Sequence, residues 1–338
     1  MTSELKQLIQ IAASWQLSGK KIVMATVVHL EGSSYRRPGV RMIISEQGDT
    51  FGAVSGGCVE KNIQAEAKSV FSTGKPKIMN YDGSIRIGCD GIIYLLLEPF
   101  HISKELIEAF NTTLENRQSF KTEACYYVAV GEHHGIGSTL HLDNKVFSIN
   151  PSFHPDHVTD QERFSQTFPP IFQLYIFGAE HDAVHLCKAA NLLGWEITIV
   201  ASPVEAKSID FFPGANRLIN PTFEELDTSG FDDQTAIILM SHSFNKDVQY
   251  LMALRNIEPA YFGLLGPKHR RDRVITKFLD YFPDTSPEFF EQIHGPAGIN
   301  IGAESASEIA VSILAEILSV IRNKKPIALK DKIGSIHG

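Results

Sequence analysis

The sequence predicts an α/β protein in which an N-terminal α+β domain is followed by a doubly wound parallel sheet. Three observations lead to this fold class. The first half combines helical periodicity with short paired strands, the second half alternates strand-like and helix-like segments, and a proline-rich stretch separates the two. A chain of 338 residues is long enough to bury two hydrophobic cores. We therefore predict one domain over 1–149, a linker over 150–170 and a second domain over 171–338.

The first domain is predicted to begin with a helix and to continue mainly with strands. Apolar residues recur at helical spacing between Leu5 and Trp15. Gln47-Gly48-Asp49 predicts a tight turn between two strands, and Gly74 ends a second helix. The elements after the first helix are a strand in KKIVMATVVHLEG, two short strands in VRMIISEQGDTFGAVSG, a helix in CVEKNIQAEAKSVFSTG, a buried strand in GIIYLLLEPF, and a strand pair in ACYYVAV and GSTLHLDNKVFSI.

The stretch over 150–170, NPSFHPDHVTDQERFSQTFPP, has four prolines and no apolar periodicity, which predicts a linker. Beyond it, strands separated by helices predict a parallel sheet covered on both faces. The predicted elements are strands in IFQLYIF, WEITIV, NRLIN, TAIILMS and AYFGLLG, and helices in Glu180 to Leu193, Phe244 to Arg255, KHRRDRVITKFLDYF and SASEIAVSILAEILSVIRN.

Composition and charge exclude several classes of protein. A net charge of −8 argues against a broad surface for nucleic acid or anionic membrane. We expect no signal peptide, and the sequence has no run of about 18 apolar residues that would span a membrane. The four cysteines lie far apart, so we expect reduced thiols and a cytoplasmic protein, with Cys125 and Cys187 as small buried side chains.

A glycine turn typical of dinucleotide-binding sites occurs in LYIFGAEHDAVHL. Gly178 follows a strand and Ala183 fills the last position of the G-x-G-x-x-G/A pattern, ahead of a helix N-terminus that attracts phosphate. Glu180, however, places a carboxylate where the pyrophosphate would lie, and Ala201 stands where an acid usually binds the ribose. A 2′-phosphate would require a nearby arginine, and only Lys207 follows that strand. These residues favour a Rossmann-like scaffold kept for its shape, with an NAD(P)-dependent oxidoreductase as the alternative.

Two glycine-rich turns of the first domain carry cysteines that indicate chemistry. Cys58 follows Gly56 and Gly57 in SGGCVE and precedes a predicted helix, whose N-terminal amides lower the pKa of a thiol. Cys89 lies between glycines in IGCDG. Donors suited to phosphate or carboxylate accompany them in EGSSYRRPGVRM, namely Ser33, Ser34, Arg36, Arg37 and Arg41.

Two further candidates follow strands of the second domain. His242 in MSHS comes just after a predicted parallel strand, at the edge where open α/β sheets bind ligands. Arg270 and Arg271 in GPKHRRDR begin a helix at a similar position. The histidine is either functional or an ordinary hydrogen-bonded side chain, and the arginines either form an anion pocket or face solvent.

Together these stretches resemble the XdhC/CoxI family, the accessory proteins of xanthine dehydrogenase and related molybdenum hydroxylases. The resemblance runs through GSSYRRPGVRMII, GAVSGGCVE and GCDGIIYLLLEP in the first domain. In the second it runs through YIFGAEHDA, MSHSFNKD, YFGLLGPKHRRDR and GINIGAESASEIAVSILAEI. The chain departs from the family pattern mainly in the second domain, where Glu180 and Ala201 replace the usual residues.

The resemblance implies a protein that binds molybdenum cofactor, supports its sulfuration and inserts it into a xanthine dehydrogenase-type enzyme. It implies a maturation factor without catalytic residues, a homodimer, and a cysteine desulfurase as a further partner. By residue match, Cys58 and Cys89 are the candidate ligands of the molybdenum centre. The other cofactor-binding candidates are Ser33, Ser34, Arg36, Arg37, Gly56, Gly57, Gly178, His181, His242, Arg270, Arg271 and Glu304.

Overall fold

Contacts divide the chain into two units in the computed structural model, Met1–Pro170 and Ile171–Gly338. The structure describes residues 1–32, 37–57, 59–83, 91–155 and 160–333. Each described unit has its own hydrophobic core, and the mixed α/β fold class predicted from the sequence is confirmed. No helix in these ranges is long and apolar enough to cross a membrane.

The first unit contains three helices and ten strands within its described residues. The helices are α1 (Thr2–Leu17), α2 (Glu60–Thr73) and α3 (Lys104–Glu115). The strands are β1 (Ile22–Gly32), β2 (Arg41–Ser45), β3 (Thr50–Gly52), β4 (Lys77–Asp82), β5 (Gly91–Pro99), β6 (Phe120–Tyr126), β7 (Gly131–Glu132), β8 (Gly137–Leu142), β9 (Lys145–Ser148) and β10 (Glu162–Phe168).

Two antiparallel sheets organise the first unit. One has the order β3-β2-β1-β5-β4-β7, and the other has the order β10-β6-β8-β9. Helix α2 packs its apolar residues, among them Ile63 and Val70, on one face of the larger sheet. A second core joins α1 and α3 to residues of both sheets, including Ile43 and Phe168. Gly74 ends α2 with φ +68°, as the sequence predicted.

Part of the segment expected to be a linker is a strand of the first unit. Residues Glu162–Phe168 form β10, which pairs along its whole length with β6. Phe168 is buried and stacks on Phe120 with ring centroids 5.0 Å apart. The linker prediction relied on missing apolar periodicity, but an edge strand with one exposed face is held by its ladder and a single aromatic anchor.

Helix α3 and strand β4 are additions to the elements predicted from the sequence. Ser103 caps α3 by accepting a hydrogen bond from the Leu106 amide, and Leu106, Phe110 and Thr113 face the core. The capping serine and the i, i+4 apolar spacing are signals that the sequence did contain. Strand β4 is short, and only its pairing with β5 and β7 identifies it.

The second unit is a six-stranded parallel sheet of order β13-β12-β11-β14-β15-β16, covered by helices on both faces. Its strands are β11 (Gln173–Phe177), β12 (Glu196–Val200), β13 (Arg217–Ile219), β14 (Thr235–Leu239), β15 (Tyr261–Leu264) and β16 (Ile293–His294). Its helices are α4 (His181–Leu192), α5 (Phe244–Ala253), α6 (Lys268–Leu279), α7 (Pro287–Glu291) and α8 (Ala306–Ile321).

Helices on the two faces bury two separate cores against this sheet. Helices α4 and α8 share one core, and α5 and α6 contribute to the other. Cys187 lies in the first of these cores and Cys125 in a strand of the first unit, and both thiols are free and buried. Burial raises the pKa of both thiols, that of Cys187 to about 11, which agrees with the expectation of inert small side chains.

Candidate functional site

The turn before α2 is organised by a carboxylate. Glu60 accepts hydrogen bonds from the amides of Val54 and Ser55, at 3.1 Å and 2.7 Å, and from the Ser55 hydroxyl at 2.7 Å. The Ser55 oxygen in turn accepts from the amides of Gly57 and Val59. Burial alone would raise the pKa of Glu60, but these hydrogen bonds lower it below its usual value. The ionised carboxylate of Glu60 therefore holds the turn in its conformation.

The glycines of this turn present open backbone. Gly57 has φ +113°, a conformation that favours glycine, and nothing lies within 4 Å of a Cβ built on Gly56 or Gly57. A ligand can therefore approach these peptide groups closely. Five predicted site residues lie outside the described part of the chain, namely Ser33, Ser34, Arg36, Cys58 and Cys89.

A cavity of about 380 Å³ in the first unit is lined in part by Arg37 and Arg41, two of the predicted donors. Pro38, Phe51 and Ala53 also line it, and Phe168 adds an aromatic ring. The volume is in the range of small-molecule sites, which are mostly apolar with a few polar groups. Arg37 belongs to the segment 33–41 and Ala53 to the segment 52–57. The cavity wall therefore includes residues of both glycine-containing segments.

Arg41 lies at this cavity but uses its donors inside the protein. Its Nη1 donates to the Gly39 carbonyl at 2.7 Å and to Gln166 at 2.6 Å, and its Nη2 donates to Thr122 at 2.7 Å. Burial lowers the pKa of Arg41 to about 10, although the carboxylate of Glu98 acts in the opposite direction. Arg41 therefore joins the two sheets. The sequence motif had instead suggested a guanidinium group available to a phosphate or carboxylate ligand.

Sequence reasoning missed Glu98, which is fully buried in β5. Its Oε2 accepts a hydrogen bond from the Ser138 amide at 2.9 Å, while Oε1 has no partner among the described residues. Burial raises the pKa of this carboxyl to about 7, against the lowering effects of Ser138 and Arg41. The available signal was an acid inside the apolar run IIYLLLEP.

In the second unit, the glycine turn after β11 lies against the end of β14. Gly178 has φ +142°, and a Cβ added there would overlap the carbonyl group of Met240. The strand order reverses between β11 and β14, which is where such sheets bind ligands. Asp182 and His242 meet across this crevice, with Oδ2 and Nε2 3.1 Å apart. His242 also adopts φ +53°, which directs the turn after β14.

The unusual acid of the glycine turn has a basic partner. Lys207 forms an ion pair with Glu180 at 3.5 Å and also donates to the Ala179 carbonyl. Half of the Glu180 side chain is exposed, so this pair contributes little to stability. These two contacts hold the Lys207 ammonium group at the turn.

The arginine cluster of α6 forms internal bonds. Arg270 donates to the fully buried Asp247 at 2.7 Å, and the same carboxylate accepts from Ser241. Arg271 donates to the carbonyls of Phe290 and Ile293. Both guanidinium groups therefore hold α6 to the edge of the sheet. They do not form a solvent-facing helix surface.

The remaining candidates lie at the start of two helices. His181 begins α4, with its Nε2 3.1 Å from Nε2 of His185. The Glu304 amide donates to Glu308, whose carboxylate belongs to the capping box of α8, and the Glu304 side chain is exposed. Within the described residues, no group of three or more His, Cys, Asp or Glu side chains is arranged to hold a metal ion.

Comparison with known proteins finds matches in both units. The model described as the XdhC and CoxI family matches residues 15–82, and the model of the XdhC Rossmann domain matches residues 174–317. The matched regions contain the Gly56-Gly57 turn and the Gly178 turn.

Individual relatives match almost end to end. A probable xanthine dehydrogenase subunit of Bacillus subtilis strain 168 is 29% identical, over 92% of this chain and 95% of that protein. The molybdenum cofactor insertion chaperone PaoD of Escherichia coli strain K12 is 27% identical, over 95% of this chain and 90% of that protein. A crystal structure of a xanthine dehydrogenase from Bacillus halodurans has a TM-score of 0.77 and 27% identity, covering 94% of this chain and 96% of that one. The chain belongs to the XdhC and CoxI family.

Proposed function

We propose that this protein is a chaperone that binds molybdenum cofactor and inserts it into a xanthine dehydrogenase-type enzyme. The observation that carries the proposal is the similarity to a molybdenum cofactor insertion chaperone over 95% of this chain and 90% of that relative. Similarity over both units supports transfer of the whole activity, because neither unit is missing from the relative.

We propose that the cofactor, which is the cargo, binds to the first unit. The open backbone of Gly56 and Gly57 precedes Cys58 in the chain, and the cavity lined by Arg37 and Phe51 lies close by in sequence. A thiolate suits a molybdenum centre, and the planar pterin suits an apolar cavity wall. In this arrangement Cys58 and Cys89 bind the metal centre, and Ser33, Ser34, Arg36 and Arg37 bind the pterin phosphate.

The finer parts of the proposal concern the route of the cofactor. We propose that the cofactor is sulfurated while held on this protein, with a cysteine desulfurase as sulfur donor. We further propose that the working form is a cytoplasmic homodimer. A chaperone of this kind binds and releases the cofactor without changing its pterin framework. No residue is therefore assigned a catalytic role.

The test is cofactor retention by protein purified from cells that make molybdenum cofactor. Molybdenum is measured by mass spectrometry, and the pterin by fluorescence after oxidation. Cys58→Ala and Cys89→Ala are each expected to lower cofactor content at least about tenfold, the effect of losing roughly 1.4 kcal/mol of binding free energy. Cys187→Ala, which removes a buried thiol of the second unit, is the matched control.

Two results would overturn parts of this proposal. Retention of cofactor by both Cys58→Ala and Cys89→Ala would show that the thiols do not bind it. Absence of cofactor from the parent protein, together with failure to activate a cofactor-free xanthine dehydrogenase-type enzyme, would exclude the chaperone function itself.

A titration with NAD(H) and NADP(H) tests the oxidoreductase alternative. We expect no sub-millimolar binding, since Asp182 and His242 meet across the crevice and Glu180 lies at the turn. Sub-millimolar binding that Glu180→Gly strengthens would instead identify the second unit as a nucleotide site.

A further inference from the structure

Two histidines on α4 face each other in a way that the fold does not require. His181 and His185 lie four residues apart, so they share one face of the helix. Their Nε2 atoms are 3.1 Å apart, whereas their ring centroids are 4.6 Å apart. The two rings therefore converge on their Nε2 atoms.

The separation of the two nitrogens matches a chelate. Imidazole nitrogens bind zinc and similar ions at about 2.0–2.1 Å. Two ligands at that distance whose nitrogens are 3.1 Å apart subtend an angle of about 98° at the metal. This angle lies between those of octahedral and tetrahedral coordination, about 90° and 109°, so the separation of the two nitrogens is compatible with one metal ion bound by both.

The second nitrogen of one ring is already held. Nδ1 of His185 lies 2.7 Å from the hydroxyl of Ser307, in the first turn of α8. Metal-binding histidines usually donate their other ring N–H to such a partner, which leaves the Nε2 lone pair for the metal. Helices α4 and α8 share a buried core, so this contact fixes the ring of His185 relative to the helix that carries His181.

Two acidic residues adjoin the pair at the N-terminus of α4. The pair lies near the N-terminus of α4, whose dipole disfavours a cation. Glu180 precedes the helix and Asp182 lies in its first turn, so two acids adjoin His181 in the chain. His181 is exposed, which leaves a path for an ion from solvent.

We propose that His181 and His185 form a binding site for a divalent transition metal ion of the class that prefers imidazole, such as Zn²⁺, Ni²⁺ or Cu²⁺. Since no third His, Cys, Asp or Glu of the described residues completes the site, the remaining coordination positions are open to water or to an external ligand. The site uses residues of the second unit, whereas the thiols proposed to bind the molybdenum centre belong to the first unit.

The experiment is a titration of the full-length protein with NiCl₂ and CuCl₂, followed by calorimetry and by electron paramagnetic resonance of the Cu²⁺ form. We expect one equivalent of metal with a nitrogen signature from two imidazoles. His181→Ala and His185→Ala should each weaken binding at least about tenfold, as expected when a chelate loses one of two ligands. Ser307→Ala should weaken it less, because it removes only the orienting contact.

Controls separate this site from other metal-binding groups of the chain. The His133→Ala variant, which removes a histidine of the first unit, should still bind one equivalent of metal. MgCl₂ should not compete because Mg²⁺ prefers oxygen ligands. Circular dichroism confirms that the variants are folded. Binding that is unchanged in both His181→Ala and His185→Ala, or a Cu²⁺ spectrum without two imidazole nitrogens, would overturn the assignment. Neither result bears on cofactor retention by Cys58 and Cys89.

Discussion

Glu98 shows most clearly how a single residue differs from what its place in the sequence indicates. It ends an apolar run, yet its side chain is fully buried between the sheets of the first unit. The positive charge of Arg41 acts on its carboxyl group. Burial without a full set of hydrogen-bond partners raises the pKa of the carboxyl to about 7. The residue therefore titrates near neutral pH and links the stability of this unit to pH.

We predict that the first unit loses stability between pH 5 and pH 8 because of Glu98. The folded-state pKa of about 7 lies above the ordinary value of 4.5, so the contribution is fully present below 4.5 and is lost as pH rises through 7. The loss expected between pH 5 and pH 8 is about 2–3 kcal/mol. Glu98→Gln should remove most of it, measured by chemical denaturation at both pH values.

Tryptophan fluorescence isolates the unit in this experiment. Trp15 lies in α1 and Trp195 lies in the second unit, so a Trp195→Phe background leaves a reporter of the first unit alone. Glu115→Gln, at an exposed position ending α3, is the control and should keep the parent pH dependence. An unchanged pH dependence in Glu98→Gln would contradict the assignment.

For other single residues the sequence indicates the chemical type but not the partner. Glu180 and Lys207 are unusual at a nucleotide turn, and the structure adds that they form an ion pair. Arg270 and Arg271 are recognisable as basic residues at a strand end, but their carboxylate and carbonyl partners come from distant segments. Partners of this kind are separated by 19 to 27 residues, and no local pattern reports them.

At the scale of elements, the sequence predicted segments that carry a clear local pattern of their own. The glycine that ends α2 and the strand–helix alternation of the second unit were visible as local patterns. Strand β10 was not, because its stability comes from β6 and from the packing of Phe168. Side-chain pattern alone gives little information about an edge strand with one exposed face.

We predict that Phe168→Ala destabilises the first unit by about 3–5 kcal/mol, the usual cost of removing a buried phenylalanine. The ring is 1% exposed, stacks on Phe120, and lies under the Arg41 guanidinium at 5.4 Å. Chemical denaturation with Trp15 as the only tryptophan measures the change.

Arg163→Ala on the same strand is the matched control. Its side chain is mostly exposed and pairs with Glu123 at the surface, so the expected cost is below about 1 kcal/mol. If Phe168→Ala costs no more than Arg163→Ala, β10 is not an integral part of the unit.

At the scale of the whole molecule, the two units bury separate cores. The cores of α1, α2 and α3 draw only on residues before 171, and those of α4, α5, α6 and α8 draw only on residues after it. We therefore propose that the domain boundary lies at Pro170 and Ile171, about twenty residues beyond the start of the expected linker.

We predict that fragments 1–170 and 171–338 each fold and unfold cooperatively, because each contains its own buried core. Circular dichroism and tryptophan fluorescence of the isolated fragments measure this. Fragment 1–149, which lacks β10 and Phe168, should be less stable than fragment 1–170. Equal stability of the two N-terminal fragments would indicate that the segment 150–170 is a linker, as the sequence predicts.

The fold class and the family follow from the amino-acid sequence alone. The alternation of strands and helices dictates a parallel sheet, and the motifs around Cys58 and Gly178 carry the family resemblance, because both depend on residues close together in the chain. The folded structure was needed to show that β10 belongs to the first unit, that Glu98 is buried near Arg41, and that His185 is held by Ser307 beside His181. These features depend on segments far apart in sequence, and burial and distance exist only once the chain has folded.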